Sequence, residues 1–395
     1  MSKIDPIAGR RRTFNKWLFG FSTLLVGLGA PVTTTAAAPT NSMFVYFGTY
    51  TGNASKGIYL SEFDAATGRL SAPRLAAEVV SPAFLALHPD RRFLYAVNEV
   101  GSFKGEPGGA VSAFAIQPET GQLTLINQES TRGDGPCHLT VDPSGNALLV
   151  ANYGGGSVAA LPIRENGELG PIKTFVQHSG SGVNPRRQTA PHAHGIYVDA
   201  ANRFAFVPDL GIDKVLVYQW DPATLALEPR DPPAAELSPG AGPRHFVFHP
   251  GGRLAYVINE LANTITAFAY DPAKGNLREI QTITTLPGDF ADPNSTAEIA
   301  VHPSGRFLYG SNRGHNSLAM YAINPDTGQL NPLGHALTQG RTPRNFAIDP
   351  TGNWILVANQ DSASVVVFRV DLRTGRLNST DISIDVPTPV CVLFL

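Results

Sequence analysis

Apolar and polar residues alternate along most of this chain with a period of two, in short runs broken by turn residues. Such alternation predicts strands with one buried face. The runs also recur as a unit: Pro, an alternating strand, a turn around Pro-x-Gly, a second apolar strand, then Asn. The unit reads SPAFLALHPDRRFLYAVN from Ser81, GPCHLTVDPSGNALLVAN from Gly135 and GPRHFVFHPGGRLAYVIN from Gly242. It returns as STAEIAVHPSGRFLYGSN from Ser295 and TPRNFAIDPTGNWILVAN from Thr342. A looser version, PHAHGIYVDAANRFAFVPD, begins at Pro191 and carries Asp209 in the Asn position. Between units lie segments such as DAATGRL from Asp64 and DLRTGRL from Asp371, which read as hairpin turns with Gly supplying the positive φ.

A seventh unit is split between the two ends of the sequence. TPVCVLFL from Thr388 supplies its first strand, and MFVYFGTY from Met43 supplies its second, with Thr49 in the Asn position. About 51 residues separate successive units, and seven of them need about 358, which is the length left after the N-terminal segment. The expected fold is therefore all-β: a seven-bladed β-propeller of four-stranded antiparallel blades, its ring closed by N- and C-terminal strands sharing one blade. Helical solenoids would show a period of 3.6. The Gly-His and Trp-Asp signature of WD40 repeats is absent, and the chain has 3 Trp in all.

Composition narrows the class further. With 39 Gly and 32 Pro in 395 residues the chain is too rich in backbone breakers for a mainly helical protein. A formal net charge of -2 and 16% charged residues argue against a nucleic-acid partner. The first residues differ from the rest. Arg10, Arg11 and Arg12 precede Thr13-Phe14-Asn15-Lys16, an apolar stretch runs from Trp17 to Ala30, and small residues end at Ala36-Ala37-Ala38. These are the three parts of a signal peptide, and the apolar run is shorter than the ~20 residues a bilayer span needs. Arg-Arg-x-Phe-x-Lys resembles a twin-arginine address. The division expected is a signal at 1–38 and one propeller domain at 39–395, periplasmic or secreted, monomeric, and free of the membrane once the signal is cleaved.

Seven versions of one blade separate scaffold from site. Counting blades from the unit at Ser81, a residue type recurring at one position is there for the blade. His88, His249 and His302 precede the turn Pro where other blades have Asp142 or Asp349, so one turn-capping hydrogen bond explains all five. Asn98, Asn152, Asn259, Asn312 and Asn359 read as strand-end caps. Three other positions vary in kind. After the opening Pro stand Ala83, Cys137, His194, Arg244, Ala297, Arg344 and Val390; next come Phe84, His138, Gly195, His245, Glu298, Asn345 and Cys391. After the capping Asn stand Glu99, Tyr153, Leu210, Glu260, Arg313, Gln360 and Tyr50. The first strand of a propeller blade lines the axis, so these positions should ring one mouth. Ionisable types gather on blades 3 to 6, as His194, Arg244, Glu260, Glu298, Arg313 and Arg344. Ion pairs between blades are the plainer explanation, but a one-sided mixture of His, Arg and Glu at a concave mouth suits a ligand site. A long loop from Gln177 to Gln188, including Arg187, leads into His192-Ala193-His194. An HxH pair could bind a metal, but no third ligand has a fixed spacing, and no metal or other cofactor is expected. Cys137 and Cys391 open blades that are not neighbours, so free thiols are expected.

SGVNPRRQTAPHAHG, PDLGIDKV, GPRHFVFHP, INEL, AEIAVHP and SNRGHNS, taken in order, resemble the lactonase family of seven-bladed propellers, which includes bacterial 6-phosphogluconolactonase and fungal carboxymuconate-lactonising enzyme. The resemblance covers essentially the whole chain after the signal. It implies a catalytic set of His194 (or His192), Arg244, Glu260 and Arg313, without a metal, acting on a small-molecule lactone. Opening a lactone needs a base to activate water, donors for the developing oxyanion and a group for the substrate's anion. Glu260 or His194 is the expected base, Arg244 the oxyanion donor, and Arg313 with Arg344 the anion clamp. His138, Arg187, His192, His245 and Glu298 are the further substrate-binding candidates. No Gly-x-Ser-x-Gly elbow is present for a serine nucleophile. The export signal counts against a phosphorylated substrate and opens the alternative of an unphosphorylated aldono- or carboxylated lactone, and the sequence does not choose between them. The competing reading is a non-catalytic envelope propeller that binds protein or glycan.

Overall fold

A computed structural model describes residues 42–52 and 54–395, and the expected signal segment lies outside these described residues. Among the described residues, six four-stranded antiparallel sheets and one closing sheet hold nearly all of the strands, with a two-stranded ribbon, Ser102–Phe103 with Glu106–Pro107, added on blade 1. The inner strands of blades 1 to 6 are Leu85–Leu87, Pro136–Val141, Tyr197–Val198, Pro243–Phe248, Thr296–Val301 and Pro343–Ile348. In blade 7 the inner strand Pro389–Phe394 pairs with Ser42–Thr49, placing Phe47 opposite Val392 and Val45 opposite Phe394. The two chain ends thus close the ring as expected. The closing sheet has five strands because its outermost strand is broken into Arg69–Leu70 and Arg74–Glu78. The only helical turn among the described residues is Gln360–Ser362.

The local sequence explains the repeat. The turn between the first two strands needs a left-handed residue, supplied by Gly145, Gly252, Gly305 and Gly352 with φ between 69° and 77°. Blades 1 and 3 lack that Gly and put Arg91 and Asn202 there at φ 60° and 55°. Both faces of every inner blade are covered, so the strands are apolar on both sides and seven hydrophobic clusters form, each shared between neighbouring blades.

The histidines before the turn do cap it, and they also bolt blades together. His249 Nδ1 accepts the Gly251 N–H at 2.9 Å, while its Nε2–H donates to Gly305 O of the next blade at 2.8 Å. His302 does the same with Ser304 N and Gly352 O, at 3.1 and 2.8 Å. Where Asp replaces His, Asp142 accepts the Asn146 and Ala147 N–H groups at 2.9 Å. A tyrosine in the second strand makes a parallel bolt to the next blade's outer hairpin: Tyr46 to Gly121 O, Tyr95 to Gly167 O, Tyr256 to Gly328 O and Tyr309 to Gly375 O, at 2.7 to 3.1 Å. Each such bond contributes on the order of 1 kcal/mol. The capping asparagines are buried, and Asn98 and Asn312 donate to the carbonyls of Val80 and Thr285 in the preceding connection. Cys137 and Cys391 are both buried and free.

Candidate active site at the mouth of the ring

The positions singled out by the repeat coincide with a β-bulge. In blades 2, 4 and 6 the register slips between Pro136 and His138, Pro243 and His245, and Pro343 and Asn345. The residue between, Cys137, Arg244 or Arg344, is the extra one, and a bulge re-aims its side chain. Blade 3 achieves the same with an isolated Ala193–Asp209 bridge and a His194 N–H bond to Pro208 O at 3.0 Å.

Glu260, one residue past its capping Asn, is the hub. Its side chain is 4% exposed and meets three guanidiniums: Arg187 Nη2 at 2.7 Å, Arg313 Nη2 at 2.9 Å and Arg244 Nε at 3.1 Å. Burial alone would raise its pKa, but Arg313, Arg244 and Arg187 together hold it down to about 2. Arg244 also donates from Nη1 to Ala297 O at 2.8 Å, and Arg313 Nη2 donates to Thr296 O at 2.8 Å. Arg187 arrives from the long loop because buried Gln188 anchors it, donating to Leu210 O and to Asp213 Oδ1 at 2.9 and 2.7 Å. Arg187 also donates to the Tyr153 hydroxyl at 3.0 Å.

Beside this hub stands His194, buried, with its ring 5.1 Å from Tyr153 and 5.3 Å from His245 between centroids. Its Nδ1 lies 3.6 Å from Cys137 Sγ, and its Nε2 has no hydrogen-bond partner among the described residues. Burial first, then the charges of Arg244, His245 and Arg344, hold its pKa well below the ordinary imidazole range. On the far side, Arg344 Nη2 donates to the Tyr50 hydroxyl at 2.8 Å, and that hydroxyl donates to Glu99 Oε2 at 2.9 Å. Burial pushes Glu99 up, against the pull of Arg344 and the Tyr50 bond.

The structure brings His194, Arg244, Glu260, Arg313, Arg187 and Arg344 to one mouth, and His138, His245 and Glu298 pack beside them. His138 has its ring 4.2 Å from Phe84 and 4.6 Å from Tyr197, with Nδ1 accepting the Ile196 N–H at 3.3 Å. His245 and Glu298 pair with each other at 3.1 Å next to Arg244. Burial raises Glu298 to about 7, against the lowering by the Ile299 N–H, Arg244, His138 and Asn345. All three are packed among protein groups, and His245 lines the small axial cavity together with His194, Arg244 and Arg344. His192 stacks on Tyr153 at 4.6 Å and bonds the Tyr153 carbonyl through Nδ1 at 2.9 Å. Among the described residues no group of three or more His, Cys, Asp or Glu is placed to hold a metal. Charge is also less one-sided than expected, since Glu99 of blade 1 and Tyr50 of blade 7 complete the mouth. Both occupy the position after the capping residue, as Glu260 does, and that equivalence was the available signal. The mouth is tightly filled: the space left at the axis, bordered by His194, Arg244, His245, Arg344, Glu99 and Tyr50 among others, is about 10 Å³, close to what one water needs. That space is too small for a sugar-sized molecule.

A ring of seven blades with a cationic, imidazole-bearing mouth is the frame of a propeller enzyme. The chain belongs to the lactonase family of seven-bladed β-propellers: the family profile described as "Lactonase, 7-bladed beta-propeller" matches residues 44–394. The 6-phosphogluconolactonase of Bacillus subtilis is 37% identical over 350 residues, covering 89% of this chain and 97% of that protein. The 6-phosphogluconolactonase of Formosa agariphila is 35% identical over 296 residues, 74% of this chain and 82% of its own. Among solved structures, the periplasmic gluconolactonase of Pseudomonas aeruginosa superposes with a TM-score of 0.85 at 36% identity, over 90% of this chain and 99% of that one.

Proposed function

We propose that the protein is a lactonase that hydrolyses a sugar-acid or carboxylated lactone at this mouth. The observation that carries the reading is the convergence of four guanidiniums on one surface beside a neutral imidazole, with only two carboxylates, Glu260 and Glu99, to offset them. The relatives named as 6-phosphogluconolactonase and gluconolactonase support lactone hydrolysis.

His194 is the base in this mechanism, because its Nε2 is unpartnered and its imidazole is neutral at physiological pH. Glu260 is a poor base: with a pKa of about 2 and three arginines bound, it serves to orient them. His194 takes a proton from water as the oxygen attacks the lactone carbonyl carbon. Arg244 holds the resulting oxyanion. Collapse breaks the ring C–O bond, and the leaving alkoxide recovers the proton from His194, giving an open-chain hydroxy acid. Arg313, Arg187 and Arg344 hold the substrate's anionic group, for which the planar fork of Arg is suited.

We also infer export to the periplasm or beyond by the N-terminal signal, supported by the Arg11-Arg12 pattern and by the periplasmic relative. A hydrolysis screen of phosphorylated, unphosphorylated and carboxylated lactones tests the activity. Turnover that collapses in Arg244→Ala and His194→Gln is expected; no hydrolysis of any lactone would favour a non-catalytic binder. Cell fractionation of an Arg11→Lys, Arg12→Lys variant tests the address, with retention in the cytoplasm expected.

A further inference from the structure

Next to Arg244 a belt of hydrogen bonds crosses four blades, its donors converging on the Glu298 carboxylate from both sides. The Val392 N–H of blade 7 donates to Asn345 Oδ1 at 2.8 Å, which fixes the amide and turns its Nδ2 toward blade 5. That Nδ2–H donates to Glu298 Oε2. Glu298 Oε1 accepts the Ile299 N–H at 2.9 Å and faces His245 Nδ1 at 3.1 Å. His245 Nε2 faces Arg244 Nη1 at 3.2 Å. A guanidinium has donors and no acceptor, so Nε2 must carry the lone pair and the imidazole proton must sit on Nδ1, aimed at Glu298. No link in the belt is free to reverse. Its far end consumes Nη1 of Arg244, whose Nε is held by Glu260, and leaves Nη2 as the one nitrogen without a protein partner.

We infer that Glu298 is a positioning residue for lactone hydrolysis: through the Nδ1–H tautomer of His245 it sets the Arg244 guanidinium so that Nη2 is presented to the reacting carbonyl. The inference rests on the proposed lactonase reading and on Arg244 as the oxyanion donor. Glu298 touches no substrate and acts two residues away from it. A carboxylate is the only form in which both its oxygens accept freely; protonation weakens the hold on His245. The charged and titratable groups facing it are Arg244, His245, His138, Tyr197 and Cys391. Its pKa of about 7 places that loss within the working range.

Steady-state kinetics across pH on wild type, Glu298→Gln, Arg244→Ala and the double variant test this, with the ¹⁵N shifts of His245 reporting its tautomer independently of activity. Glu298→Gln is expected to lower kcat by about 10- to 100-fold with little change in KM, the scale of a misplaced catalytic group. It should lose the wild type's acid limb near pH 7 and populate the Nε2–H tautomer of His245. Adding it to Arg244→Ala should cost nothing further, because the two act as a unit. Wild-type kcat in Glu298→Gln, or losses that multiply in the double variant, overturns the inference. Wild-type turnover in Arg244→Ala would instead overturn the proposed site. Matched thermal unfolding and a preserved His138 ¹⁵N signal separate misfolding from mispositioning.

Discussion

Replacing Glu260 with Gln removes the one carboxylate shared by three guanidiniums, and the expected cost can be worked two ways. The folded state holds Glu260 at about 2 against an ordinary value of 4.5. That difference of roughly 2.5 pKa units corresponds to about 3 kcal/mol of stability linked to its charge. The side chain is 4% exposed, and two of its partners, Arg244 and Arg313, are 3% and 14% exposed, so solvent screens little of it. Independently, breaking a buried pair by removing one partner typically costs about 3–5 kcal/mol, because the remaining charge is stranded. The sign follows from the depressed pKa: the stabilisation is fully present above about pH 4.5 and is lost as pH falls toward 2. Denaturant unfolding of wild type and Glu260→Gln should therefore show a gap of about 3 kcal/mol at pH 7, shrinking to about half of that at pH 3. Equal stabilities at pH 7, or a gap that does not move with pH, would refute the account of Glu260 as a charged hub.

Three further outcomes are expected. In Glu298→Gln the residual acid limb of kcat/KM should lie below pH 6.5, because burial and the Arg244 charge hold His194 down; a limb at or above that value would point to another base. Arg187→Ala should raise KM for an anionic lactone about 10-fold while changing stability by less than about 1 kcal/mol, since its side chain is 40% exposed and Gln188 still anchors the loop; calorimetry and initial rates check both. His249→Ala should lose about 1–2 kcal/mol from its two hydrogen bonds with unchanged kinetics, and altered kinetics would mean that the turn histidines reach the site.

The ring was legible in the sequence because each blade repeats the same pattern, so even the split seventh blade could be reassembled from its ends. The mouth was legible in part, for the same reason: Arg244, Glu260 and Arg313 break the repeat at positions the bulge and the cap define. What the pattern could not resolve was partnership. His245 follows Arg244 directly, but the bulge gives the two side chains different partners, Glu260 and the Ala297 carbonyl for Arg244 and Glu298 for His245. The reach of Arg187 was equally hidden, since it depends on Gln188 finding Asp213, 25 residues away. His249 shows the reverse case: its cap was plain from the turn sequence, but its bond to Gly305, 56 residues on, needs the neighbouring blade.

The rings of Phe84, His138 and His245, from blades 1, 2 and 4, meet at the axis with centroids 4.2 to 5.8 Å apart. That contact closes the axis at this level. In the proposed reaction a lactone bound at the arginines becomes a hydroxy acid with one more negative charge than it brought. On that reading the guanidiniums that recruit the substrate hold the product more firmly, so the product competes for the surface, and salt should hasten its departure while slowing the next arrival.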